Sequence, residues 1–141
     1  MSYTVECDDV IIWEPAMQVA EYFILSVKAL EKVVDKESGI YSPYSRIIDF
    51  DHLILGDTLE IDYSKLKPFI DQVLRRLEES IHTQFIAMIS GVIEVLLALE
   101  AKITGEFTRE PHSEAAAALF ERSKLVLWPL EMYLKQATGK A

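Results

Sequence analysis

One stretch constrains the fold more than any other. From Ile70 to Ile103 the apolar residues keep helical phase without a break: Ile70, Leu74, Leu77, Ile81, Phe85, Met88, Val92, Leu96, Leu99 and Ile103 recur at spacings of three and four. A single helix over that stretch and its lead-in would hold about forty residues and extend about 60 Å. A compact domain of this size has a radius of gyration near 14 Å, so a straight rod overshoots it. Two solutions exist. The helix breaks or bends around Ser80 to Gln84, giving helices over about 64–82 and 83–104, or the rod projects and pairs with a second copy through its 85–103 portion. The break is the favoured expectation. Ser64, or Asp62 before it, supplies the N-terminal cap, and Pro68 falls in the first turn if Ser64 is the cap.

Around this stretch the chain reads as further helices and a small β-hairpin. Tyr3 to Cys7 and Val10 to Trp13 flank Asp8-Asp9, a short alternating pair around a turn signal. Two strands alone are marginal, so the hairpin over 3–13 must lean on helices. Pro15 suits the start of a helix over about 15–37, and Ala16, Val19, Ala20, Phe23, Val27, Leu30 and Val34 give it one apolar face. Gly39 suits its C-terminal cap. Residues 40–62 break the pattern, with turn signals at Ser42-Pro43 and Gly56-Asp57 around an apolar segment that can hold a short strand or a helical turn. Thr104-Gly105 ends the central stretch. Ser113 caps a last helix over about 113–137, in which Pro129 should introduce a kink. The fold class predicted is mainly α: a bundle of three to four long helices with a small N-terminal β-hairpin, in one domain over 1–141.

Composition agrees with a packed domain, since 50% of the 141 residues are apolar and 26% are charged. The net charge of −9 argues against nucleic acid as a partner, because phosphate neutralisation needs clustered Lys and Arg. The acidity is concentrated. Glu6, Asp8, Asp9 and Glu14 lie before the first long helix, and Asp49, Asp51, Asp57, Glu60 and Asp62 follow it against a single Arg46, whereas the helices are nearly neutral. The opening residues lack the basic and apolar regions of a secretory signal, and the most apolar window, Phe85 to Leu99, is shorter than the roughly 20 residues of a bilayer crossing and carries Glu94. A cytoplasmic protein without membrane contact is expected. Cys7 is the only cysteine, so no disulfide forms within the chain and no thiolate metal site is available. Its flanking acids disfavour the thiolate.

Candidate chemistry is sparse. Glu79-Ser-Ile-His82 places a carboxylate and an imidazole three apart, as carboxylate-bridged di-metal bundles do, but such sites need a second copy and two further glutamates, and neither His52 nor His112 completes one. Glu94 lies in a stripe of small residues (Thr83, Ala87, Ser90, Gly91, Ala98 and Ala101) that would let another backbone approach closely. A carboxylate there is either a functional group with a raised pKa or a glutamate paired to Arg or Lys. The acidic middle connection lacks the alternate-position spacing of a calcium loop, and no Gly-rich phosphate loop, nucleophile elbow or Cys/His cluster occurs. No cofactor and no metal is expected. An interaction surface fits better. Tyr41, Tyr44 and Tyr63 are suitable interface anchors, and Asp49, Asp51, Asp57 and Glu60 would steer a basic partner toward them.

Two resemblances follow from these residues. Arg76-Leu-Glu-Glu-Ser-Ile-His82 resembles the Arg-x(4–6)-His pattern of the helical HEPN ribonuclease superfamily, which implies RNA cleavage by Arg76 and His82, usually across a dimer. The acidic balance and missing basic groove fit RNA badly. Separately, a hairpin followed by Ile12-Trp13-Glu14-Pro15 and a long helix, Glu60-Ile61-Asp62 before Phe69, and His82 ahead of a small-residue helix with Gly91 resemble an uncharacterised family of small bacterial proteins. That resemblance spans about residues 5–105, leaves out the tail from His112 onward, and brings no known activity.

The function expected is therefore a non-enzymatic binding protein, immunity- or antitoxin-like, that masks a basic protein. The alternatives are a helical enzyme using Arg76 with His82 or Glu79 with Glu94, and a homodimeric structural protein joined through the 85–103 helix.

Overall fold

The computed structural model describes residues 3–38, 48–49, 58–80 and 82–138, with side chains described up to residue 126 except at 33, 35–38 and 48–49. In chain order the elements are β1 (Thr4–Cys7), β2 (Val10–Trp13), α1 (Met17–Ser38), β3 (Ile48–Asp49), β4 (Thr58–Ile61), α2 (Tyr63–Glu79), α3 (Thr83–Thr104) and α4 (Glu114–Thr138). The chain is mainly helical, as its periodicities imply.

The hairpin turns on Asp8 and Asp9, both with positive φ (49° and 65°). Two consecutive residues in that region are the mark of the mirror-image turn whose twist matches paired strands, and Asp tolerates it better than most residues with a Cβ. The hairpin is half of a larger sheet. Its strand order is β2-β1-β4-β3, with β1 and β2 antiparallel, β1 and β4 parallel, and β3 and β4 antiparallel. The middle connection thus contributes β3 and β4, where the sequence suggests at most one short strand.

One face of the sheet is apolar. Val5, Cys7, Ile12, Leu59 and Ile61 are buried against a single hydrophobic cluster to which all four helices contribute. Trp13 meets Phe23 of α1 edge-to-face, with ring centroids 5.4 Å apart, and so fastens the hairpin to the first helix. Along α1, Ala20, Phe23, Val27, Leu30 and Val34 are buried, but Val19 is exposed although the spacing assigns it to the same face. Val19 is displaced by about 60° from the centre of the buried stripe, toward its solvent edge.

The central stretch divides in two. Asp62 caps α2: its Oδ1 accepts from the Ser64 backbone N–H (3.0 Å) and from the Ser64 hydroxyl (2.6 Å). Because Asp62 is the cap, Pro68 lies inside the helix, beyond its first turn. The end comes at Ser80, an extended residue whose hydroxyl accepts from the His82 N–H at 3.2 Å. His82 then starts α3 without a side-chain cap. The periodicity persists across this break because α2 and α3 pack on the same core, so each independently needs its apolar face. Met88 is the exception within α3: it is 84% exposed, although in phase with the apolar run.

Gly105 ends α3 in the left-handed conformation (φ 90°), its N–H donating to the Ala101 carbonyl. Ser113 caps α4 by accepting from the Ala116 N–H at 3.1 Å, and α4 then runs through Pro129 as one helix. Between α3 and α4, Arg109 acts as a clamp. Its Nε and Nη2 donate to the two oxygens of buried Glu100 on α3 (2.5 and 2.8 Å), its Nη1 donates to Asp71 on α2, and Nη2 also donates to the Lys67 carbonyl at 3.1 Å. Burial works against the charge on Arg109, but hydrogen bonds to Glu100 and Asp71, and then their negative charges, outweigh it and hold the guanidinium above its ordinary range. Among the described residues, no helix is long and apolar enough to cross a membrane.

Candidate interaction surface

The outer face of the sheet is where the two acidic stretches meet. In β1 and β4 the burial alternates, with Val5, Cys7, Leu59 and Ile61 inside and Thr4, Glu6, Thr58 and Glu60 on the other side. The parallel register pairs Thr4 with Thr58 and Glu6 with Glu60, and the antiparallel register pairs Glu60 with Asp49. Three acidic positions from three neighbouring strands therefore stand in line across the sheet. On the far side of β1, Glu6 is paired with Ile11 of β2, and both Ile11 and Val10 are exposed (40% and 61%). Asp8 and Asp9 sit exposed at the tip of the hairpin. Like charges directly opposite one another disfavour a sheet, so this row is a feature that folding alone does not select.

The sequence-predicted anchors divide by position. Glu60 lies in the acidic row, exposed, and Asp49 is its register partner. Tyr41, Tyr44, Asp51 and Asp57 lie outside the described residues. Tyr63 begins α2 and is partly buried, packed on the core cluster. Beneath the same sheet Cys7 is buried, and burial first, then the charge of Asp8, pushes its thiol pKa up, while a backbone hydrogen bond from Tyr63 works the other way. Of the two flanking acids, Asp8 acts on the thiol as the sequence implies, joined by Asp62 and Glu60, with burial the larger effect.

The Glu79–His82 pattern depends on helical spacing that the break removes. Glu79 is the last residue of α2 and His82 precedes α3, so the two do not share a helix face as a Glu-x-x-His pair must. The guanidinium of Arg76 lies over the Phe85 ring, 5.8 Å from its centroid, a cation–π contact across the α2–α3 corner. His82 is exposed at that corner. Glu94, mostly buried, forms an ion pair with Arg122 and so joins α3 to α4. Of the small-residue stripe, Ala98 and Ala101 are buried with Val126 packed on them, whereas Thr83, Ala87 and Gly91 are exposed. Among the described residues no group of three or more His, Cys, Asp or Glu is placed to hold a metal ion.

The hairpin with Ile12-Trp13-Glu14-Pro15 and the long helix after it, Glu60-Ile61-Asp62 before Phe69, and His82 ahead of the small-residue helix with Gly91 are the features by which the chain resembles an uncharacterised family, and a family model bears directly on that. The model of a family of unknown function, DUF6086, matches residues 1–127. The chain belongs to this family. The DUF6086 match reaches past residue 105, through the Arg109 clamp and into α4 as far as residue 127, so it takes in the beginning of the helix that the resemblance leaves out. Neither a curated protein nor a solved structure matches the chain.

The acidic row was the feature of the candidate surface least accessible from the sequence. Glu60 and Asp49 stand out by composition, but Glu6 joins them only through the β1–β4 pairing. The one available signal was the alternation of Thr58-Leu59-Glu60-Ile61, which matches that of Thr4-Val5-Glu6-Cys7 position for position.

Proposed function

We propose that this protein is a non-enzymatic binding protein, immunity- or antitoxin-like, that masks a basic protein partner with the acidic outer face of its sheet. The observation that carries the reading is the register of Glu6, Glu60 and Asp49 across β1, β4 and β3. Acidic residues at register-paired positions raise the local negative potential, speed encounter with a cationic surface and reject acidic ones. The exposed Ile11, register partner of Glu6, offers apolar area for a docked partner on the same face, so contact does not rest on charge alone. A partner that brings Lys or Arg over the row also relieves repulsion that the free protein carries.

The test is binding of the intact chain to a panel of purified cationic proteins, together with the products of genes neighbouring its own, at low and high salt. Glu6→Gln/Asp49→Asn/Glu60→Gln should weaken a specific partner by about tenfold or more at low salt, equivalent to about 1.4 kcal/mol, and flatten the salt dependence. Unchanged affinity and unchanged salt slope in that variant would sink the proposal.

A further inference from the structure

A second feature lies away from the sheet, where α3, the connection after it and α4 enclose a cavity of about 170 Å³. Its size is informative: an engineered apolar cavity of about 150 Å³ admits one benzene ring, so this one holds a single ring or a branched alkyl group of similar bulk. Leu97, Phe107, Pro111 and Phe120 supply its apolar lining.

The charged lining selects the sign of a ligand. Glu100, Glu106 and Glu121 face Arg109 and Lys124. Both cations are engaged: Arg109 with Glu100, Asp71 and the Lys67 carbonyl, and Lys124 with Glu121 at 3.1 Å. An anionic ligand would have to displace these carboxylates. A cation meets oxygens that keep unused lone pairs, an excess of carboxylate over cation in the lining, and two phenylalanines among the lining residues.

We propose that this cavity is a binding site for a small organic ammonium whose apolar body is one ring in size, an arylalkylamine being the simplest member of the class. The ring occupies the space between Leu97 and Phe120, and the ammonium lies at the carboxylate-bearing rim. The site shares no residue with the acidic sheet face and does not depend on the function proposed for it.

The experiment titrates the intact chain with phenethylamine, 2-phenylethanol and phenylacetate, read by amide chemical shifts and thermal unfolding. For so few heavy atoms, phenethylamine should bind saturably with a Kd on the order of 0.1–1 mM, with 2-phenylethanol several-fold weaker and phenylacetate weakest. The shifts should concentrate at residues 97–109 and 117–124. Ala117→Leu fills the cavity at a partly exposed lining position and should abolish the amine's effect. Glu106→Gln, at an exposed rim position, should erase most of the preference for amine over alcohol. The proposal is overturned by any of four results: no saturable amine binding, phenylacetate or alcohol binding as tightly as the amine, amine shifts that persist in a folded Ala117→Leu protein, or an unchanged amine preference in Glu106→Gln. If Ala117→Leu does not fold, the Glu106→Gln comparison decides alone.

Discussion

Arg109 concentrates more structure than any other single side chain described. It stands in a connection without regular structure, yet its donors reach α2 and α3 at once, and its partner Glu100 is buried. Removing it leaves that carboxylate inside the protein with its two donors gone. Arg109→Ala should therefore cost about 3 kcal/mol in urea unfolding, and Arg109→Lys should recover only part of that, because an ammonium cannot reproduce the fork that engages both oxygens of Glu100. A loss below about 1 kcal/mol would mean that the clamp is solvent-compensated. Two glycines make a cleaner pair of opposite sign. A Cβ added at Gly105 or Gly91 meets nothing within 4 Å, so sterics with neighbours play no part at either. Gly105 sits at φ 90°, and Gly105→Ala should destabilise by about 1 kcal/mol; Gly91 is a helix-interior residue, and Gly91→Ala should stabilise by about 0.5–1 kcal/mol. Cys7 gives a pH signature. Its folded pKa is raised, so the native chain holds the thiol proton more tightly than the unfolded chain does. That contribution is complete below the ordinary thiol value of about 8.5 and is lost as pH rises through the folded value. Denaturation between about pH 7 and about pH 10 should show a steeper loss for the native sequence than for Cys7→Ala, and parallel curves would contradict it.

At the scale of elements, the helices were legible and the sheet only half so. Periodicity located the apolar faces of α2 and α3, and the Thr104-Gly105 and Ser113 signals located where α3 ends and α4 begins, because each depends on residues within a turn or two. The hairpin was legible for the same reason: Asp8 and Asp9 join strands adjacent in sequence. β4 was not, since its partner is β1, with the whole of α1 between them, and no local pattern specifies a parallel pairing at that distance. Glu79 and His82 erred in the opposite direction. Their spacing suggested one helix face, and Ser80 separates them by a helix end. The acidic composition of the candidate surface was legible, but its geometry was not, because alignment of Glu6 with Glu60 is a property of the register. That alignment has an energetic consequence. Glu60→Gln removes the central charge of the row and should raise stability by a few tenths of a kcal/mol to about 0.5 kcal/mol at low ionic strength, with the gain shrinking as salt is added. A destabilised Glu60→Gln protein would show that the carboxylate makes a compensating contact.

For the whole molecule, one cluster joins the inner face of the sheet to all four helices, while Glu6 and Glu60 stand on its outer face with Asp49 in register beside Glu60. Packing and this acidic row thus lie on opposite sides of a layer only one strand thick. The order in which that layer assembles follows from its topology. β1 and β2 meet across a two-residue turn, but Thr4 finds Thr58 only after the chain between them has been drawn into a closed loop, whose entropy cost must be met before the contact gives anything back. Local helices and the hairpin form on faster timescales than that closure. Backbone amides of β4 should accordingly lose protection from hydrogen exchange before those at the centre of α3, and equal protection would argue against it. The acidic row would then exist only in the fully closed chain, so a partner that recognises it would distinguish finished molecules from those still folding.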